Sequence, residues 1–260
     1  AAGAGAGAAN RLIFSAAKGN LMMGETIAKT VPTVSIYGIA VSRMNMRETV
    51  EYLTAVIEAR TPHQVITANP IMVMAALERP DYMAVMRRAE LVVPDGAGLV
   101  WAAGYLGVPV AERVAGFDLM HKLLERGREK GWKVFLLGAA HDVVRASAER
   151  LEQMYPGIRI VGWRDGFFKS DQDGEVVDEI VAAAPDLLFV ANSLDRQEPW
   201  IDRYKSRLNV PVMMGVGGSF DIVAGRLKRA PLFFQRMRLE WFYRLLQEPK
   251  RFKRMLALPK

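Results

Sequence analysis

The sequence predicts an α/β protein: a Rossmann-like, mostly parallel sheet with helices on both faces, followed by a basic amphipathic helical appendage at the C-terminal end. Short apolar runs closed by Gly, Pro or Asn recur along the chain. Helical patterns of about 10–15 residues separate them, which is the signature of βαβ units. Hydrophobic residues make up 51% of the 260, enough for one sizeable core. The appendage announces itself by charge. Residues 226–260 hold eleven Lys/Arg and two acids, whereas the rest of the chain holds 24 basic and 26 acidic residues. A slightly acidic body thus carries a strongly basic tail. That pattern points to a polyanionic partner: a nucleic acid, an anionic membrane surface or a phosphorylated substrate. The expected division is a low-complexity or expression-derived arm over 1–30, a Rossmann-like catalytic domain over 31–225 and the appendage over 226–260.

The elements follow in order. Val34 to Val41 forms a first strand or hairpin. Asn45 to Arg60 is helical, with Val50, Leu53, Val56 and Ile57 at helical spacing. A short strand over 64–68 runs into Asn69-Pro70, and two short helices, about 70–79 and 81–89, are split by Pro80. Leu91 to Val93 is a strand ending in Pro94-Asp95-Gly96. Helices cover about 97–106 and 117–130. Lys133 to Leu137 is a buried strand ending at Gly138, and a helix over about 142–154 follows. Strand 158–162, helix 171–184, strand 186–191, helix 197–208 and strand 210–214 complete the alternation. Gly217 and Gly218 then let the chain turn without a Cβ in the way, and Ser219 or Asp221 caps the next helix. A strand, a Gly pair and a helix start form a common diphosphate site, although a tight turn without a ligand fits as well.

Composition excludes several chemistries. With no cysteine there is neither a disulfide framework nor a thiolate metal site. His63, His121 and His141 are scattered and lack metal-ligand spacing. No apolar run reaches the ~18–20 residues that span a bilayer, and the Ala/Gly-rich opening has no signal-peptide pattern.

Ligands in parallel sheets bind at the carboxyl ends of the strands. The residues there are Thr67 and Asn69, Asp95, Gly138, Asn192 with Gln197 and Glu198, and Gly217, Gly218 and Asp221. This set is polar and lacks His and Cys. It suits proton abstraction from a hydroxyl and hydrogen bonding to a sugar or nucleotide, not thiol, hydride or zinc chemistry. In the tail, Pro231 opens a helix over about 232–247 rich in Leu, Phe and Trp. Pro249 breaks it, and a second short helix carries Phe252, Met255 and Leu256 on one face. Apolar and aromatic residues flanked by Lys and Arg describe an interfacial helix, with an ordinary basic surface helix as the alternative. No groove-reading motif supports nucleic-acid binding.

Six motifs in fixed order carry a resemblance over about residues 34–258. They are Thr67-Ala68-Asn69-Pro70, Pro94-Asp95-Gly96-Ala97-Gly98, Arg113 to Leu119, Gln197-Glu198-Pro199-Trp200, Gly215 to Asp221, and Arg229-Ala230-Pro231 with Leu239-Glu240-Trp241 through Glu248-Pro249. Together they resemble the bacterial glycosyltransferase family 26, the TagA/WecG/CpsF type. The resemblance implies a metal-independent, inverting transfer that uses no cofactor. N-acetylmannosamine would pass from UDP-N-acetylmannosamine to undecaprenyl-diphosphate-linked N-acetylglucosamine, for wall teichoic acid, at the cytoplasmic face of the membrane. UDP-N-acetylmannosaminuronic acid or UDP-glucose are the alternative donors, and a non-catalytic membrane- or nucleic-acid-binding module is the rival reading. A homo-oligomer remains open.

By the same resemblance Asp95 is the general base, Thr67 and Asn69 lie near the transferred sugar, and Gln197 orients substrate. Arg244, Arg251 and Arg254 reach the diphosphate. Arg113 is either a substrate ligand or a structural ion-pair partner. Asn192 to Arg196 departs from the family's Gly-x-Pro turn. Asp171-Gln172-Asp173 has the Asp-x-Asp spacing of metal-dependent glycosyltransferases, but it follows Ser170, opens a helix and reads as N-terminal capping and dipole charge.

Overall fold

The computed structural model describes residues 31–237 and 240–247. Its strands are β1 (Thr33–Ile36), β2 (Ile39–Ser42), β3 (His63–Ala68), β4 (Leu91–Pro94), β5 (Lys133–Gly138), β6 (Arg159–Arg164), β7 (Leu187–Ala191) and β8 (Val212–Gly215). They form one sheet in the order β1-β2-β4-β3-β8-β7-β5-β6. The outer β1–β2 pair is antiparallel, and the other pairings are parallel. Tyr37 (φ 51°) and Gly38 (φ 79°) make the two-residue hairpin turn, where a positive φ at both positions matches the strand twist.

The helices are α1 (Met46–Ala59), α2 (Pro70–Glu78), α3 (Pro80–Arg88), α4 (Ala97–Tyr105), α5 (Gly116–Lys130), α6 (His141–Met154), α7 (Asp173–Ala183), α8 (Leu194–Leu208), α9 (Ser219–Val223), α10 (Leu232–Arg236) and α11 (Glu240–Gln247). Side chains alternate across a strand, and this alternation sorts the core. On one face Val65, Leu91, Val134, Phe189 and Met214 meet α1, α5 and α6 in one continuous cluster. On the other face the core is split. Ile66 and Val92 pack with α2, α3 and α4, while Phe135, Leu188 and Met213 pack with α7 and α8. Gln64 of β3, wholly buried, lies on this second face with Ile66.

Some expectations need correction. Helix α8 begins at Leu194, three residues earlier than the sequence suggests, so Pro199 lies inside it. The amides of Arg196 and Gln197 both bond the Ser193 carbonyl and start the helix ahead of the proline. The tail helix expected over 232–247 is described as two segments, α10 and α11, and the second tail helix lies outside the described residues. Neither Ser219 nor Asp221 occupies the N-cap of α9: Gly218 does, and the Ser219 hydroxyl donates back to the Val216 carbonyl at 2.7 Å. Asp173 is not a cap either. It is buried, and its carboxylate accepts from Trp200 Nε1 at 3.2 Å and Tyr204 Oη at 3.1 Å, tying α7 to α8.

Candidate active site

Two loop pairs meet at the carboxyl edge of the sheet. The first pair follows β3 and β4. The amides of Asp95 and Gly96 both donate to the Ala68 carbonyl, at 2.8 and 3.3 Å. A Cβ on Gly96 would fall 2.4 Å from Pro70 Cδ, and one on Gly98 2.7 Å from Pro70 Cγ. The two glycines therefore let the Asp95 loop lie flat against the Asn69-Pro70 turn. Asn69 caps α2, its side-chain oxygen accepting from the Met72 amide at 3.2 Å. Thr67 packs beneath the first turn of α5, where a Cβ on Gly116 would come within 2.9 Å of its Oγ1.

Arg113 stands over this group. Its Nε is 3.6 Å from Asp95 Oδ1, and its guanidinium also pairs with Glu240 of α11. The three side chains are 20–30% exposed, so the network sits at a rim rather than in the core. At 3.6 Å the Asp95 contact is an ion pair, not a hydrogen bond, and Arg113 Nε is buried without a hydrogen-bond partner among the described residues.

The second loop pair follows β7 and β8. Gln197 Oε1 accepts from the Gly217 amide at 3.2 Å and, more weakly, from the Asn192 amide at 3.4 Å. Its Nε2 donates to Glu198 Oε1 at 2.9 Å. Glu198 has no exposed surface. Its second oxygen accepts from Gln64 Nε2 at 3.0 Å, and the same nitrogen bonds the Glu198 main-chain carbonyl at 3.1 Å. Burial pushes the Glu198 carboxyl up to about 7, against the pull of the two amides. Gly215 makes this approach possible, since a Cβ there would lie 2.1 Å from Glu198 Oε1. Above the clamp Gly217 has φ +50° and faces open space. Asn192 Nδ2 donates to the Gly166 carbonyl at 3.4 Å. Next to it Gly138 has φ +113° and touches β7 so closely that a Cβ would lie 2.1 Å from the Ala191 oxygen.

The sequence pattern of the Glycosyl transferase WecG/TagA/CpsF family matches residues 34–260. The chain belongs to this family. It is 43% identical over 196 residues to the N-acetylglucosaminyldiphosphoundecaprenol N-acetyl-beta-D-mannosaminyltransferase of Bacillus spizizenii, covering 75% of this chain and 76% of that one. The proteins of the same name from Bacillus subtilis and Staphylococcus aureus are 36% and 35% identical, over 88% and 87% of this chain and 89% of each relative.

As a glycosyltransferase of this family, the protein carries its sequence-predicted residues in two sets. Thr67, Asn69, Asp95 and Arg113 gather at the ends of β3 and β4. Asn192, Gln197, Gly217 and Gly218 gather at the ends of β7 and β8, with Gly138 next in line at β5. Because β3 and β8 are hydrogen-bonded neighbours, the two sets lie side by side along the carboxyl edge of the sheet. Glu198 is instead wholly buried, packed against Gly215. Asp221 sits on the five-residue α9, where its carbonyl accepts from the amides of Arg226 and Leu227. Arg244 lies on α11, while Arg251 and Arg254 lie outside the described residues. The tail is pinned to the body by Arg229, which pairs with Asp118 at 2.7 Å and sits 4.9 Å above the Phe117 ring. Gln247 and Lys228 exchange two bonds of 2.9 Å and close the tail on itself.

Three participants were given no role by the sequence reading: Gly215 and Glu240, named there only as parts of motifs, and Gln64, which lay in a strand. Glu240 is one of two acids in a basic tail, and Gln64 interrupts an apolar strand. Both irregularities were visible signals.

Proposed function

We propose that the protein is an inverting glycosyltransferase that moves N-acetylmannosamine from its UDP donor onto undecaprenyl-diphosphate-linked N-acetylglucosamine, in wall teichoic acid synthesis. The observation that carries this reading is the setting of Asp95. It is a carboxylate at the end of a buried strand, beside Asn69 and Thr67, in a chain whose relatives bear that activity in their names. In a single displacement the acceptor hydroxyl attacks the anomeric carbon from the face opposite the diphosphate. Asp95 takes the hydroxyl proton as the new glycosidic bond forms, and the bond from the anomeric carbon to the phosphate oxygen breaks to release UDP. A positioned base of this kind contributes roughly 10²–10⁴-fold.

Arg113 orients the base, and the Asn192–Gly217 edge receives the donor diphosphate. Arg244, Arg251 and Arg254 supply the positive charge that the leaving group needs. An uncharged donor sugar fits better than a uronic acid, because both candidate cations are engaged. Arg113 lies between two carboxylates, and Arg196 stacks 4.4 Å over Phe168 while bonding its carbonyl.

No described helix is long and apolar enough to cross a membrane. Leu232, Phe233, Met237 and Leu246 are each more than half exposed on the basic tail. We assign them to reversible docking on an anionic membrane surface, which brings the site to its lipid-held acceptor.

The test is transfer from UDP-N-acetylmannosamine to a short-chain lipid-diphosphate N-acetylglucosamine in EDTA, for the parent and Asp95→Asn. The parent should turn over and the variant should lose at least about 10²-fold in kcat while still binding UDP. An equally active variant removes Asp95 from the mechanism, and an inactive parent removes the reaction.

A further inference from the structure

Glu198 has no exposed surface, yet it is the one ionisable side chain among Gln64, Gln197 and Glu198. Its two oxygens are both committed. One accepts from Gln197 Nε2 at 2.9 Å and the other from Gln64 Nε2 at 3.0 Å. An amide has one donor end and one acceptor end. A carboxylate that accepts from Gln197 Nε2 therefore leaves Gln197 Oε1 pointing at the amides of Gly217 and Asn192. Gln64 fixes the carboxylate in turn, because the same nitrogen also holds the Glu198 main-chain carbonyl. Nothing in this chain of donors and acceptors can be reversed at one point without a clash elsewhere.

We propose that Glu198 is a positioning residue for glycosyl transfer: by dictating the orientation of the Gln197 amide, it sets the spacing of the β7 and β8 turns that receive the donor diphosphate. The inference rests on the reading of that edge as the donor site. It makes Gln197 an internal clamp whose orientation is imposed from below. The Gly215 gap is the passage through which the order is transmitted.

The experiment measures UDP binding by calorimetry for the parent, Gln197→Glu, Glu198→Gln and the double swap. Gln197→Glu still offers acceptor oxygens to Gly217 and Asn192, but at the alkaline end of a pH series, where both carboxyls are ionised, it sets one carboxylate against another. It should weaken UDP by about tenfold or more. The swap restores the order. Residue 198 now donates to residue 197 and still accepts from Gln64, with net charge unchanged. It should recover UDP binding to within about threefold of the parent. Glu198→Gln alone falls between, since Gln64 can turn to meet it at the cost of its bond to the main-chain carbonyl. A merely structural role would lower the folded fraction in all three variants without this rescue.

The proposal is overturned if the swap binds UDP no better than Gln197→Glu, or if Gln197→Glu binds like the parent. Failure of the parent itself to bind UDP would instead strike at the assignment of the donor site.

Discussion

Gly215→Ala puts the clamp geometry under direct strain. The new Cβ would sit 2.1 Å from Glu198 Oε1 and 2.5 Å from Gln197 Nε2, where ordinary contact begins near 3.4 Å. The carboxylate must retreat by roughly 1.3 Å, the difference between those distances. It cannot retreat into water, because Glu198 has no exposed surface. Retreat breaks the bonds from Gln64 and Gln197. Each buried hydrogen bond to a charged group is worth about 1.5–3 kcal/mol, so losing both costs about 3–6 kcal/mol. That is a large part of the roughly 5–15 kcal/mol that holds a typical domain together. With an m-value of about 3 kcal/mol/M, the urea midpoint should fall by about 1–2 M. Gly104→Ala is the control. It lies in α4, nothing lies within 4 Å of its added methyl, and helix propensity predicts a gain of up to about 1 kcal/mol. A Gly215→Ala protein within about 1 kcal/mol of the parent would refute the argument that the glycine is there to admit the carboxylate.

Further outcomes follow from other contacts. Burial raises the folded Glu198 carboxyl from 4.5 to about 7, so the folded state binds this proton more tightly than the unfolded chain does. Its contribution is most favourable below about pH 4.5, declines as pH rises to about 7 and is flat beyond, a change on the order of 3 kcal/mol. Glu198→Gln should flatten the pH dependence of urea stability across that window, and an unchanged slope would contradict the assignment. Asp173→Asn keeps at most one acceptor for Trp200 and Tyr204 and should cost about 1–3 kcal/mol with transfer per folded molecule retained. Loss of transfer at unchanged stability would mean that Asp173 serves the reaction. Arg229→Ala removes a partly exposed ion pair and a cation–π contact, so global stability should drop by less than about 1 kcal/mol. Trypsin should nevertheless cleave beyond residue 230 faster while leaving the body intact; equal cleavage would show that other contacts hold the tail.

The centre of the sheet was legible because β4, β5, β7 and β8 are buried on both faces and close on Pro94, Gly138, Asn192 and Gly215. The errors have local causes. The sequence placed the start of α8 at about 197, but the amides of Arg196 and Gln197 begin the helix earlier, on the Ser193 carbonyl. The Asp171–Asp173 pair suggested capping and dipole charge; Asp173 does stand in the first turn of α7, but its carboxylate answers to two aromatic donors about thirty residues away rather than to the cap. Strand-end logic located Thr67, Asn69, Asp95, Asn192 and Gly217 because parallel sheets expose those positions. It could not separate Gln197, at the edge, from Glu198, behind it. That distinction depends on Gln64, 134 residues earlier, and on the missing side chain of Gly215.

The pairing of β3 with β8 bears on how the molecule comes into being. His63 lies opposite Val212, and Val65 opposite Met214. The Asp95 loop belongs to the first-made side of this seam, and the turn after β8 belongs to the last. A chain still emerging from synthesis therefore holds only the β3 and β4 ends of this edge until β8 arrives. Joining partners so distant in sequence is intrinsically slow. The Gln64–Glu198 bond crosses the same seam, so a single buried contact records whether the two halves have closed.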